Sequence, residues 1–257
     1  MTFRYVTTNL LDVDSLDSVS SEDTIYTMDF LYNRRPSKPF RFTAKATQWI
    51  KLDFGVNTRL THVSVFNHNL TNAADIRLQA NNADVWAPPP LNQALTWREY
   101  ALYYHFNKGY SWWRLYVDDP GNSNFPQIGE LVFGRHAKFE NAWIQPDWGQ
   151  GLNFSIAEAR TYFGQDWDYY LSQSQSFRLR IRNLNDPSTI DDLQQFFADI
   201  QGSAGRFILI PNDALPFCFY VKVNMLDIDY EQIVRGYRDL NDWSLNLKTL
   251  VRGITLL

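Results

Sequence analysis

The stretch from Ser111 to Gly134 restricts the fold more than any other, because it packs two strands and a turn into a short span. In Ser111-Trp112-Trp113-Arg114-Leu115-Tyr116-Val117, residues Trp113, Leu115 and Val117 fall on one face and Trp112, Arg114 and Tyr116 on the other. That two-residue period marks a strand with one buried side. The run Asp118-Asp119-Pro120-Gly121-Asn122 closes it as a turn, and Gln127 to Gly134 supplies the next strand.

The same alternation recurs upstream. In Trp49-Ile50-Lys51-Leu52-Asp53-Phe54-Gly55, Ile50, Leu52 and Phe54 face one way and Trp49, Lys51 and Asp53 the other. Arg59 to Phe66 repeats the pattern, with Leu60, His62, Ser64 and Phe66 opposite Thr61, Val63 and Val65. Asp75 to Ala80 and Leu95 to Phe106 add strands on either side of an extended connector, Pro88 to Pro90. The segment up to about Pro39 reads as polar loops around short strands, and its basic cluster, Arg34, Arg35, Lys38 and Arg41, as surface. Turn signals at roughly ten-residue spacing, without helical periodicity, indicate an antiparallel sandwich in this half.

Bulk properties narrow the function. A chain of 257 residues holds one large β domain or two ordinary ones. Its aromatic content of 16% favours sheets over helical bundles. A formal charge of -4 provides no field for nucleic acid. The single cysteine, Cys218, forms no intrachain disulfide and reads as a buried apolar residue. No run approaches the roughly 18 apolar residues that span a bilayer, and Met1 to Tyr5 lacks the apolar core of a signal peptide. The expectation is a protein folded in a reducing cytosol, without membrane insertion.

At the level of wording, Trp49 to Gly55 resembles the Trp-Ile-x-Leu/Val-Asp-Leu/Phe-Gly strand of discoidin-type domains, also called galactose-binding-like domains. Ile76 to Trp86, Trp113-Arg114-Leu115 and Ile128 to Gly134 resemble later elements of that family, in order. The resemblance implies an eight-stranded jelly roll. Ligand specificity does not travel with the fold, and the cysteine pair bracketing extracellular members is absent. Leu31 to Phe40, Phe66 to Thr71 and Trp112 to Leu115 are also similar to discoidin-like modules in tail and baseplate proteins of tailed bacteriophages.

After Phe139 the pattern changes. Leu152 to Phe163, Asp166 to Leu171 and Ser176 to Leu184 read as strands, and a helix follows over about 188–201. Ile190, Leu193, Phe196, Phe197 and Ile200 share one stripe of that helix, as for packing on a sheet. Arg206 to Pro211, Pro216 to Ile228, Tyr230 to Arg235 and Trp243 to Val251 complete a set of strands. This arrangement resembles the small β-barrel domains of phage tail-tip and distal tail proteins. The expected organisation is therefore mainly β, a discoidin-like jelly roll at 1–136 followed by a β-barrel with one inserted helix at 137–257.

Chemistry is sparse. His62, His68, His105 and His136 are scattered in sequence without metal-ligand spacing, so no metal is expected. Asp118-Asp119 before Pro120-Gly121 reads as turn chemistry. No nucleophile elbow, phosphate loop or dinucleotide fingerprint is present, and neither an enzyme nor a cofactor is expected. Arg178, Arg180 and Arg182 alternate along one strand face, and Asp227, Asp229 and Glu231 form the mirror pattern. Two solvated sheet faces account for both; so does pairing across neighbouring subunits of a ring, where alternating charge sets register. The first expectation is a structural component of a bacteriophage tail tip or baseplate. It would be made in the host cytoplasm and incorporated in the virion tail, with itself and other tail proteins as partners and a role in host-surface attachment. The alternative is a non-catalytic carbohydrate-binding module that stacks host-surface glycan on Trp86, Tyr110 and Trp112.

Overall fold

A computed structural model describes residues 4–11, 14–99, 101–138, 143–144, 149–160, 166–182, 187–201, 205–210, 218–223 and 242–249. The chain divides into two compact units, one formed by 2–138 with 207–219, the other mainly by 139–206 with 220–257.

The first unit contains β1 (Arg4–Val6), β2 (Leu16–Val19), β3 (Phe40–Arg41), β4 (Gln48–His68), β5 (Asp75–Asn81), β6 (Leu91–Ala94), β7 (Ala101–Asp118) and β8 (Gln127–Gly134). Two long strands organise it. The first half of β4 pairs with β2 and with the second half of β7, which carries β5 and then β6. Beyond Thr58, β4 pairs with the first half of β7 and with β8, and β8 with β3. One leaf is thus β2-β4-β7-β5-β6 and the other β7-β4-β8-β3, with β4 and β7 passing from leaf to leaf as in a jelly-roll sandwich.

The core lies between the leaves. Ile50 and Leu52 from β4, Leu78 from β5, Trp113, Leu115 and Val117 from β7, and Leu131 and Phe133 from β8 are all completely buried in one cluster. Trp113 is its largest member, with ring centroids of Phe106 at 5.3 Å, Tyr110 at 5.7 Å and Phe133 at 6.4 Å. The alternation read from Trp112 to Val117 and from Trp49 to Leu52 holds. That read from Leu60 to Phe66 does not. The register of β4 slips between Leu60 and His62, so Leu60 joins Val63 and Val65 in the core.

His62, Ser64, Phe66 and Glu130, on the other side of that leaf, are buried as well. The close approach of β1 accounts for part of this burial, since a Cβ on Gly134 would sit 2.5 Å from Val6 Cγ1. β1 pairs antiparallel with β12 (Arg206–Ile210), whose Phe207 to Ile210 are buried. At the opposite end, Gly129 lets β8 pass the Pro36 carbonyl, which would lie 2.3 Å from an added Cβ.

In the second unit, β9 (Trp143–Ile144) and β10 (Gly149–Arg160) pair with β11 (Asp166–Arg182). On its other side β11 pairs with β14 (Asp242–Thr249), and β14 with β13 (Phe219–Val223). β10 has no second neighbour among the described residues, so this sheet is open and the expected closed barrel is not formed there. Helix α1 (Pro187–Asp199) begins at a proline, which suits a first-turn position lacking an amide partner. Phe196, Phe197 and Ile200 of the expected stripe are buried. Cys218 is buried too, and burial pushes its thiol pKa up, as suits a packing residue.

Candidate aromatic and cationic binding face

The outward side of the first leaf carries the residues that alternate with the core. Register sets Trp49 opposite Tyr116, Lys51 opposite Arg114 and Asp53 opposite Trp112. On the far side of β7, Tyr116 faces Arg77, Arg114 faces Gln79 and Trp112 faces Asn81. Two like charges directly opposite each other, Lys51 and Arg114, would repel.

The loop after β5 offsets that repulsion. It folds back through Asn81 Nδ2, which donates to the Val85 carbonyl at 2.6 Å, and Ser111 Oγ, which donates to the Asn82 carbonyl at 3.1 Å. Asp84 then accepts from Lys51 Nζ at 2.9 Å and from Trp86 Nε1 at 2.5 Å. Hydrogen bonding from Lys51 holds the Asp84 carboxyl below the usual carboxylate range.

Ring faces shelter the two cations. Lys51 Nζ lies 4.9 Å from the Trp49 centroid and 5.6 Å from that of Trp112. Arg114 Cζ lies 4.3 Å from the Trp86 centroid and 5.8 Å from that of Tyr116. Each such contact contributes about 0.5 to 1 kcal/mol near a surface. Arg114 Nε donates to Gln79 Oε1 at 2.7 Å, and burial works against the guanidinium's charge. Four half-buried aromatic rings and two half-buried cations thus form a platform on the sheet, with the Asp84, Asp17 and Asp53 carboxylates beside them.

Of the aromatics singled out from sequence, Trp86 and Trp112 both belong to this platform, bracketing the Arg114 and Lys51 cations. Tyr110 lies elsewhere. Its ring packs edge-on against Trp113 beside the core, and its carbonyl accepts from Trp113 Nε1 at 3.0 Å. Between them β4 and β7 pass from one leaf to the other, Trp112 pairing with Asp53 in the first leaf and Tyr110 with Thr58 in the second, across a second register break in β4. Trp49, Lys51 and Asp84 were not singled out. The alternation of Trp49 to Asp53 placed Trp49 and Lys51 outward, but nothing local in sequence shows the Asp84 loop folding over them.

That second break leaves Phe54 to Asn57 as an excursion, with Gly55 at φ 66° and Val56 exposed. Beside it opens a cavity of about 510 Å³ lined by Leu10, Asp14, Ser15, Phe54, Thr58 and Arg135, among others. Asp53, at its edge, is held by the Gly55 amide at 2.8 Å.

Three of the four histidines, far apart in sequence, come together through register. His62 pairs across strands with His105, their centroids 5.2 Å apart, and His105 lies 5.3 Å from His136. Burial, reinforced by these neighbours, pushes the His62 pKa well below its usual value. No group of three or more metal-ligating side chains is placed to hold an ion among the described residues.

Asp119 does more than shape a turn. It is buried and accepts from the Thr71 amide at 2.9 Å, from Thr71 Oγ1 at 2.5 Å and from Asn122 Nδ2 at 2.9 Å, tying two loops together. Within the basic cluster, Arg41 pairs with Asp23 at 2.6 Å and covers the Tyr26 ring. In the second unit, Arg178, Arg180 and Arg182 occupy alternate positions of β11. Asp227, Asp229 and Glu231 lie outside the described residues.

No family model matches this sequence, and no curated protein matches it. Solved structures show a likeness. The family 32 carbohydrate-binding module of Clostridium perfringens NanJ, in complex with galactose, is 14% identical over 47% of this chain and 91% of that one, with a TM-score of 0.39. Chitosan-binding module 2 of the Paenibacillus sp. IK-5 chitosanase/glucanase, in complex with chitotriose, is 13% identical over 47% and 96%, with a TM-score of 0.38. A Clostridium perfringens ZmpB structure, with two such modules and an M60 catalytic domain, is 9% identical over 52% of this chain, with a TM-score of 0.41. The match spans only 15% of that ZmpB chain.

Proposed function

We propose that the protein is a non-catalytic binding module that takes up carbohydrate on the outer face of its first leaf. The observation that carries this reading is the platform itself, with Trp49, Trp86, Trp112 and Tyr116 interleaved with Lys51 and Arg114 on one rigid sheet. Sugar rings present C–H faces that stack on aromatic rings, while their hydroxyls need donors and acceptors alongside. Lys51 and Arg114 supply donors, and the exposed Asp84 carboxylate, with lone pairs to spare, an acceptor. From Tyr116 to Trp112 the platform runs about 13 Å at strand rise, room for more than one sugar ring. Among the described residues its carboxylates are engaged, Asp84 by Lys51 and Trp86, Asp17 by Lys51 and Ser18, and Asp53 by the Gly55 amide, which suits binding rather than acid–base work. A glycan array with the full chain tests the reading. Saturable binding that falls at least ten-fold in Trp112→Ala and Trp86→Ala, with unchanged circular dichroism, is expected; absence of saturable binding to any glycan refutes it.

A second reading, a structural protein of a bacteriophage tail tip, has support from the register of β11. Arg178 lies opposite Gly149 and Asn246, Arg180 opposite Ser244, and Arg182 opposite Trp143 and Asp242. Cross-strand positions therefore offer three arginines one acidic residue, and a neighbouring subunit's Asp227, Asp229 and Glu231 would complete the neutralisation. Under this reading the protein assembles with itself and with other tail proteins, and the aromatic face contacts the host surface. Sedimentation and electron microscopy of Arg180→Glu test it: wild-type rings that dissociate into folded monomers support assembly through the stripe, whereas unaltered rings exclude it.

A further inference from the structure

We infer that the platform selects acidic sugars, with the Arg114 guanidinium receiving a carboxylate of the ligand; this rests on the carbohydrate reading above. A guanidinium has five N–H donors in a planar fork. One of them, on Nε, is used by Gln79. Among the described residues no carboxylate forms an ion pair with Arg114, and no hydrogen bond engages its terminal Nη groups. Asp84, the acid whose field it feels, is already occupied by Lys51 Nζ and Trp86 Nε1.

The arrangement is built to hold this fork still. Gln79 fixes Nε from the neighbouring strand, Trp86 lies against the guanidinium carbon at 4.3 Å, and Tyr116 flanks it at 5.8 Å. Stacked in this way, an arginine keeps its outer edge oriented at little further loss of freedom. A half-buried charge without a counter-ion is costly, and desolvation already disfavours the charged form here. A planar carboxylate satisfies both needs, since its two oxygens match two parallel N–H donors of the fork. Lys51 stands directly opposite in register, its own ammonium shared with Asp84 at 2.9 Å and Asp17 at 3.7 Å, which leaves Arg114 as the cation without an ion pair. The ligand class is a uronic-acid-containing oligosaccharide, its ring stacked on the tryptophans and its carboxylate on Arg114.

The test compares matched ligands on the full chain by titration calorimetry at low and moderate salt. The ligands are an oligogalacturonide, its methyl ester, a neutral oligosaccharide of equal length, and a sulfated and desulfated pair. Wild type should bind the free acid at least ten-fold tighter than the ester, with the preference shrinking as salt rises. In Arg114→Gln the acid-to-ester ratio should collapse toward one, and in Arg114→Lys, which keeps charge but not the fork, it should fall to a few-fold. The acid-to-ester ratio of the wild type decides the matter even if Arg114→Gln fails to fold. Equal binding of acid and ester overturns the inference and leaves the carbohydrate reading standing. A preference for the sulfated member alone overturns the carboxylate assignment, and no binding to any member overturns the carbohydrate reading itself.

Discussion

Acid should weaken the first unit through His68, by an amount that follows from its surroundings. This imidazole ends β4, and its Nδ1 accepts from the Leu70 amide at 3.2 Å. Burial lowers its pKa from 6.5 to about 4, the Arg98 backbone and the Asp119 carboxylate offsetting only part of that cost. The unfolded chain takes up a proton here as pH falls through 6.5, and the folded chain not until about 4. Between those values the unfolded state binds more protons, so stability is lost as pH falls through the window and the loss is complete below it. At about 1.4 kcal/mol per pH unit the window is worth about 3 kcal/mol. In His68→Asn the side-chain oxygen can accept from the same Leu70 amide, as Asn does in a local turn, but does not titrate. Urea unfolding of both proteins at pH 7 and pH 4, followed by tryptophan fluorescence, gives each a pH 7-to-4 stability difference. His62 titrates in both and cancels from the comparison. That difference should be smaller in the variant by about 3 kcal/mol. Equal pH dependence in the two proteins would show that His68 is not held neutral by the fold.

Two further substitutions test the packing. Trp113→Ala empties the centre of the core, where Phe106, Tyr110 and Phe133 meet one ring, and should cost about 3 to 5 kcal/mol in urea unfolding. Asp119→Ala leaves the Thr71 amide and the Asn122 side chain without their buried acceptor, and should cost about 3 kcal/mol, read as a lower midpoint with an unchanged slope.

Wherever β4 and β7 pair without interruption, the sequence alone disclosed which residues point inward. Trp113, Leu115, Val117, Ile50 and Leu52 could be assigned to the core because a two-residue period admits only one buried face. The same period misleads at a bulge, since one unpaired residue exchanges the faces of everything beyond it. That is why Leu60 joins Val63 and Val65; Tyr110 parts from Trp112 because the two strands change leaf between them. Neither slip has a composition signal, apart from Gly55 with its positive φ. The histidine cluster was hidden for a related reason: proximity of His62 and His105 is a statement about register, not spacing. Likewise, Trp86 and Trp112 stood out as aromatics, whereas Asp84 joins Lys51 and Trp86 only because Asn81 and Ser111 pin the loop over the sheet. In the second unit the strand pattern was legible, but alternation cannot distinguish a sheet that closes from one that stays open, as this one does among the described residues.

The central claim is that the outer face of the first leaf is where carbohydrate binds. A crystal structure of the full chain with the best oligosaccharide from the array tests it most directly. The account requires sugar density over Trp86, Arg114 and Trp112. Density in the cavity beside Phe54 and Arg135 instead, with the platform bare, would contradict it.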